Sequence, residues 1–158
     1  MQIIKFFMAA LLMFSLSAYS YAGIKDKKAQ KESELTMNTA ASEVKSACGN
    51  AKLDVDIDWT NWDQYDYSKM SGKAKKATVI SYTGNLVKSV LDEMVELCKD
   101  ADYKAELAKI SSFKISGKKD QKDRYVAFSL SDTTLNITLN ADGITSWKNA
   151  KLLKAVWE

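Results

Sequence analysis

The 158-residue chain contains no histidine and no proline, only two cysteines, and a single arginine, Arg124. Without imidazole there is no Ser-His-Asp triad, no Cys-His dyad, and no histidine ligand for zinc or haem. Catalysis would have to run on carboxylates, Ser, Lys or Tyr. The shortage of arginine matters as well. Twenty-three basic residues against 20 acidic ones give a formal charge of +3, nearly all of the positive part from lysine. Lysine is a mobile, hydrated point charge, whereas the planar fork of arginine suits bidentate recognition of phosphate or carboxylate. So weak a balance predicts no nucleic-acid partner and no general membrane affinity. No cofactor motif is present, and no cofactor is expected.

Long apolar runs are nearly absent too, with one exception at the N-terminus. Lys5 precedes an unbroken run over residues 6–14, and small residues follow at Ser20 and Ala22, where a signal peptidase inspects the chain. Residues 1–22 therefore read as a secretory signal whose core is shorter than the roughly 20 residues of a membrane span. Cleavage would leave a chain starting near Gly23, 136 residues long, enough for one domain with a real core. The expected address is outside the cytoplasm: periplasmic in a Gram-negative cell, otherwise secreted. Membrane association is not expected once the signal is removed. In an oxidising compartment Cys48 and Cys98 should form one structural disulfide. Closing a loop of that length stabilises a fold by roughly 4 kcal/mol on the chain-entropy model.

Residues 23–36 are dense in charge and read as a mobile leader or a frayed helical start. The single domain is expected over 37–158. Met37, Ala40, Ala41, Val44 and Ala47 recur at helical spacing until Gly49-Asn50 stops the pattern. Residues 53–59 alternate strictly, with Leu53, Val55, Ile57 and Trp59 on one face and Asp54, Asp56 and Asp58 on the other. A loop over 60–72 leads to a long amphipathic helix over 73–99, which Gly84-Asn85 should bend or break. Asp102 is placed to cap a shorter helix. Strands at 112–116, 124–130 and 135–139 look like an antiparallel meander, and Ser146 starts a last helix running to Trp157. The expected fold class is α+β: a mostly antiparallel sheet of about four strands, covered on one face by helices and stapled by one disulfide.

The most unusual stretch runs from Asp54 to Tyr67. Asp54, Asp56, Asp58, Asp63 and Asp66 interleave there with Trp59, Trp62, Tyr65 and Tyr67, and no basic residue intervenes. The first three aspartates imitate the start of a calcium loop, but Trp59 and Tyr65 occupy the places that need Gly and Glu. No metal site is expected. Paired carboxylates with aromatic platforms also fit glycoside hydrolysis, although neighbouring strand positions meet that spacing trivially. An acidic rim around exposed rings is the recipe for a protein contact surface, in which rings supply binding energy and charges steer a cationic partner. The plain alternative is that Trp59 is core and the aspartates keep an edge strand soluble.

These readings combine into an exported binding protein, an inhibitor or immunity-type protein that occupies a basic protein partner such as a toxin or a cell-wall enzyme. Its contact residues would be Asp54, Asp56, Asp58, Trp62, Asp63, Tyr65, Asp66 and Tyr67, with Trp62, Tyr65 and Tyr67 largely exposed. One alternative is a carboxylate-based hydrolase acting on glycan or peptidoglycan, marked by a concave pocket holding two acids. A second is an envelope structural protein, which needs Leu152, Leu153, Val156 and Trp157 to be exposed on the last helix.

Overall fold

A computed structural model describes residues 3–69, 75–119, 126–143 and 150–158, with 3–22 and 69 described in backbone only. The expected helix start at Lys73, strand start at Arg124 and cap at Ser146 lie outside the described residues.

Helix α1 runs Ile3–Cys48. The segment 23–36, expected as a leader or a frayed start, is helical and buries Ala29 and Ser33. Gly49 ends the helix in the left-handed conformation (φ 67°), and the Asn50 N–H returns to the Lys45 carbonyl at 3.0 Å. Strand β1 follows at Asp54–Ile57, then a helical turn α2 at Thr60–Asp63 and a 3-10 turn at Tyr67–Lys69. Helix α3 spans Lys76–Leu97 without interruption. Helix α4, Ala101–Leu107, is capped by Asp100 rather than Asp102, the Asp100 carboxylate accepting from the Asp102 N–H. Strands β2 (Ser112–Lys118), β3 (Ala127–Ser131) and β4 (Thr134–Asn140) follow, and the last helix α5 is a single turn, Lys151–Lys154.

The fold is α+β with one four-stranded sheet, but the sheet is mixed and not mostly antiparallel. Its order is β1-β2-β4-β3, with β1–β2 and β2–β4 parallel and only β3–β4 antiparallel. The expected meander fails because β3 does not turn back onto β2. Instead β3 and β4 form a tight hairpin through Asp132-Thr133, with Asp132 at φ 51°. The hairpin is pinned to the start of β2: the Thr133 carbonyl accepts from the N–H groups of Ser111 (2.8 Å) and Ser112 (3.3 Å). That anchor aligns Phe113 with Leu135 and Ile115 with Ile137, so β4 fills the slot beside β2.

Alternation then gives the sheet two unlike faces. Phe113, Ile115, Leu135, Ile137 and Leu139 are buried and join a core with Met37, Ala40 and Val44 of α1 and Val87, Val90, Leu91 and Met94 of α3. The opposite face carries Asp54, Asp56, Lys114, Ser116, Asn136, Thr138 and Ser129, none of them buried. At one end of the helix pair the expected disulfide joins Cys48 to Cys98, Cα atoms 5.2 Å apart. Asn50 locks the same corner, its Nδ2 donating to the carbonyls of Leu107 (2.8 Å) and Ile110 (2.6 Å).

Candidate functional site

The Asp/aromatic stretch divides into a structural plug and a small acidic surface. Asp58 ends β1 by folding back over the first turn of α2. Its carboxylate accepts from the Thr60 hydroxyl (2.5 Å), the Thr60 N–H (3.0 Å) and the Asn61 amide (3.0 Å). The Thr60 hydroxyl, then its N–H, and with them Asn61, hold this exposed acid below the usual carboxylate value. Asp63 is ion-paired to Lys76, which also lies 4.0 Å from Asp26. Asp66 caps the following turn, accepting from the Ser68 N–H (2.9 Å) and hydroxyl (2.5 Å). Asp58 and Asp66 thus serve their own turns, and Asp63 ties α2 to α3.

The rings turn inward, contrary to the expected exposure. Trp62 is fully buried because the α2 turn swings it beneath the sheet end, edge-on to Trp59 with centroids 5.2 Å apart. Room for it comes from Gly117 on β2, where a Cβ would lie 2.7 Å from the Ala141 Cβ and 3.2 Å from both Asn61 and the Trp62 ring. The sequence pattern ends the strand at 116 and leaves this glycine to the connection that follows, whereas it lies inside β2, where a Gly marks close approach of a neighbour. The Trp62 indole N–H has no partner among the described residues. Tyr65 and Tyr67 are half-buried against the core. The Tyr67 hydroxyl lies 2.5 Å from the Ala141 carbonyl and 3.0 Å from that of Trp62. Burial first, then the neighbouring Asp142, Tyr65, Asp63 and Asp26, push this phenol well above the usual tyrosine range. Trp59, also half-buried, donates its indole N–H to Glu34 of α1 at 2.7 Å.

Asp54 and Asp56 remain. Both are exposed on the polar face of β1, an edge strand of the sheet. Asp56 stands in register with the exposed Lys114 of β2, and no ion pair joins them. The eight expected contact residues therefore do not form one surface. Asp54 and Asp56 share a face, Trp62 is buried away from it, Tyr65 and Tyr67 pack against the core, and Asp58, Asp63 and Asp66 are bonded to Thr60, Lys76 and Ser68. Among the described residues no three acids gather closely enough to hold a metal ion.

A second acidic and aromatic feature went unforeseen. Asp100, Asp102, Glu106 and Glu158 surround an open depression with Tyr103 and Trp157. The two rings meet edge-on at 6.2 Å, and the Lys154 ammonium sits 5.3 Å from the centre of Tyr103. The residues are distant in sequence and meet only because the C-terminal turn packs beside α4. That same turn buries Leu153 completely and half-buries Val156 and Trp157, leaving only Leu152 exposed. The apolar stripe that an envelope-bound helix would need faces the core. Among the described residues no helix is long and apolar enough to cross a membrane. No protein-family model, no curated protein and no solved structure matches this chain.

Proposed function

We propose that the protein is an exported binding protein of inhibitor or immunity type, which engages a basic protein partner such as a toxin or cell-wall enzyme through Asp54 and Asp56 on β1. The observation that carries this reading is the pair of exposed carboxylates, two residues apart on one face of β1 and without an ion-pair partner among the described residues. A strand presents such charges at a set spacing, so little ordering cost accompanies binding. Export is supported by the signal-type segment at 1–22 and agrees with the Cys48–Cys98 disulfide, a bond that persists in oxidising compartments. The hydrolase alternative asks for a concave pair of acids. The depression around Tyr103 is open, and there Asp100 is already engaged in capping α4.

The test is capture from an envelope extract on immobilised protein, wild type beside Asp54→Lys with Asp56→Lys. Charge reversal at close interfacial pairs weakens association by about tenfold or more. A partner retained by the wild type, released by salt and lost from the reversed variant at unchanged melting temperature is the expected result. Equal capture by both proteins removes Asp54 and Asp56 from the interface.

A further inference from the structure

In a parallel ladder, alternate residues turn both backbone groups toward the same neighbour. The Asp54 N–H donates to the Ser111 carbonyl at 3.0 Å, so Asp54, and Asp56 two residues on, face β2. Val55 and Ile57 consequently direct their N–H and C=O groups away from the sheet. Among the described residues no strand lies beyond β1, and no hydrogen bond reaches those outward groups. An edge of this kind is a template for a further strand.

Resting on the binding role of Asp54 and Asp56, we infer that β1 accepts an extended lysine-bearing segment of the partner as a fifth strand. The side chains specify the occupant. On the open face the next strand would lie about 5 Å away, beside Asp54 and Asp56, where alternate lysines complement the carboxylates. On the other face it would meet the half-buried Val55 and Ile57, which suit apolar side chains. A second copy of this chain is the wrong occupant, because pairing β1 with β1 sets aspartates against aspartates. The edge is only four residues long, so the backbone supplies a short ladder and the charges supply selectivity.

The probe is a synthetic peptide of alternating lysine and valine, compared with the same peptide N-methylated at alternate amides and with a glutamate–valine counterpart. Hydrogen exchange at Val55 and Ile57, followed by NMR, is the readout. Exchange there should slow by about tenfold or more with the lysine peptide, while the Asp54 amide, already bonded to β2, changes little. The methylated and acidic peptides should both fail to protect these amides. If methylated and unmethylated peptides bind equally and exchange is unaltered, strand addition is overturned while the acidic surface stands. If neither binds, strand addition is overturned, and the charge-reversal capture alone judges the surface. Protection that appears without peptide and grows with protein concentration assigns the edge to a second copy and overturns the inference as well.

Discussion

Gly84 of α3 lies against Ser33 of α1 so closely that a Cβ on the glycine would sit 2.6 Å from the Ser33 Cβ and Oγ and 2.9 Å from its Cα. Ser33 in turn donates its hydroxyl to the Ile80 carbonyl at 3.1 Å. The two helices touch backbone to backbone here, which is why the glycine neither bends nor breaks α3. In an exposed helix, Gly→Ala stabilises by about 1 kcal/mol. Here the overlap includes a main-chain atom, and overpacking costs about 1–3 kcal/mol. Gly84→Ala should therefore lower the urea midpoint, and Ser33→Gly in the same chain should restore part of the loss. A midpoint that rises in the single variant would show that the helices separate at no cost.

Asn50 is the second buried polar anchor. Its Nδ2 serves two carbonyls near the end of α4, while its Oδ1 accepts from the Lys52 N–H at 3.2 Å. Asn50→Ala leaves these groups without their partner, at roughly 1–3 kcal/mol. Asn50→Asp should be worse at neutral pH, since a carboxylate oxygen would face two carbonyl oxygens. Protonation restores a donor, so that variant should regain stability as the pH falls. Urea unfolding of both variants at neutral and acidic pH checks the pair, and an alanine variant as stable as wild type contradicts the assignment.

Tyr67 makes the alkaline behaviour specific. Its phenol is held above the usual range in the folded state, so the unfolded chain releases that proton first. The stability it contributes is complete below the ordinary phenol range and is lost as pH rises through and beyond it. Tyr67→Phe should cost about 1–2 kcal/mol at neutral pH through the lost hydrogen bonding. It should also make the alkaline decline shallower. Comparing the two proteins by tryptophan fluorescence across alkaline pH tests the sign, and parallel declines would remove Tyr67 as a contributor.

Much of the local structure was legible in the chain. The alternation around Val55 and Ile57, the stripe through Val87, Val90, Leu91 and Met94, and the Gly49 stop all appear where their spacing put them. Strand partners were not legible. The alternation of Leu135, Ile137 and Leu139 buries the same face whether β4 neighbours β2 or not. The deciding bonds, from Ser111 and Ser112 to Thr133, join residues that carry no pattern. The site was half legible for a similar reason. The charge of Asp54 and Asp56 and their shared face follow from period two. The burial of Trp62 depends on a turn whose Asn, Asp and Tyr composition looks like solvent-facing loop, and on space left by a distant glycine.

The strand order has a consequence for the nascent chain. The segment that lies between β2 and β3 is the last of the four to be synthesised, so it acts as a keystone inserted between pieces already made. Until residues 134–140 emerge, β2 has no neighbour on that side and β3 has no place to dock. Such non-local pairing is slow and leaves sticky edges open in the interim. A product truncated before Thr134 would retain both cysteines and both long helices yet lack the strand that closes its sheet.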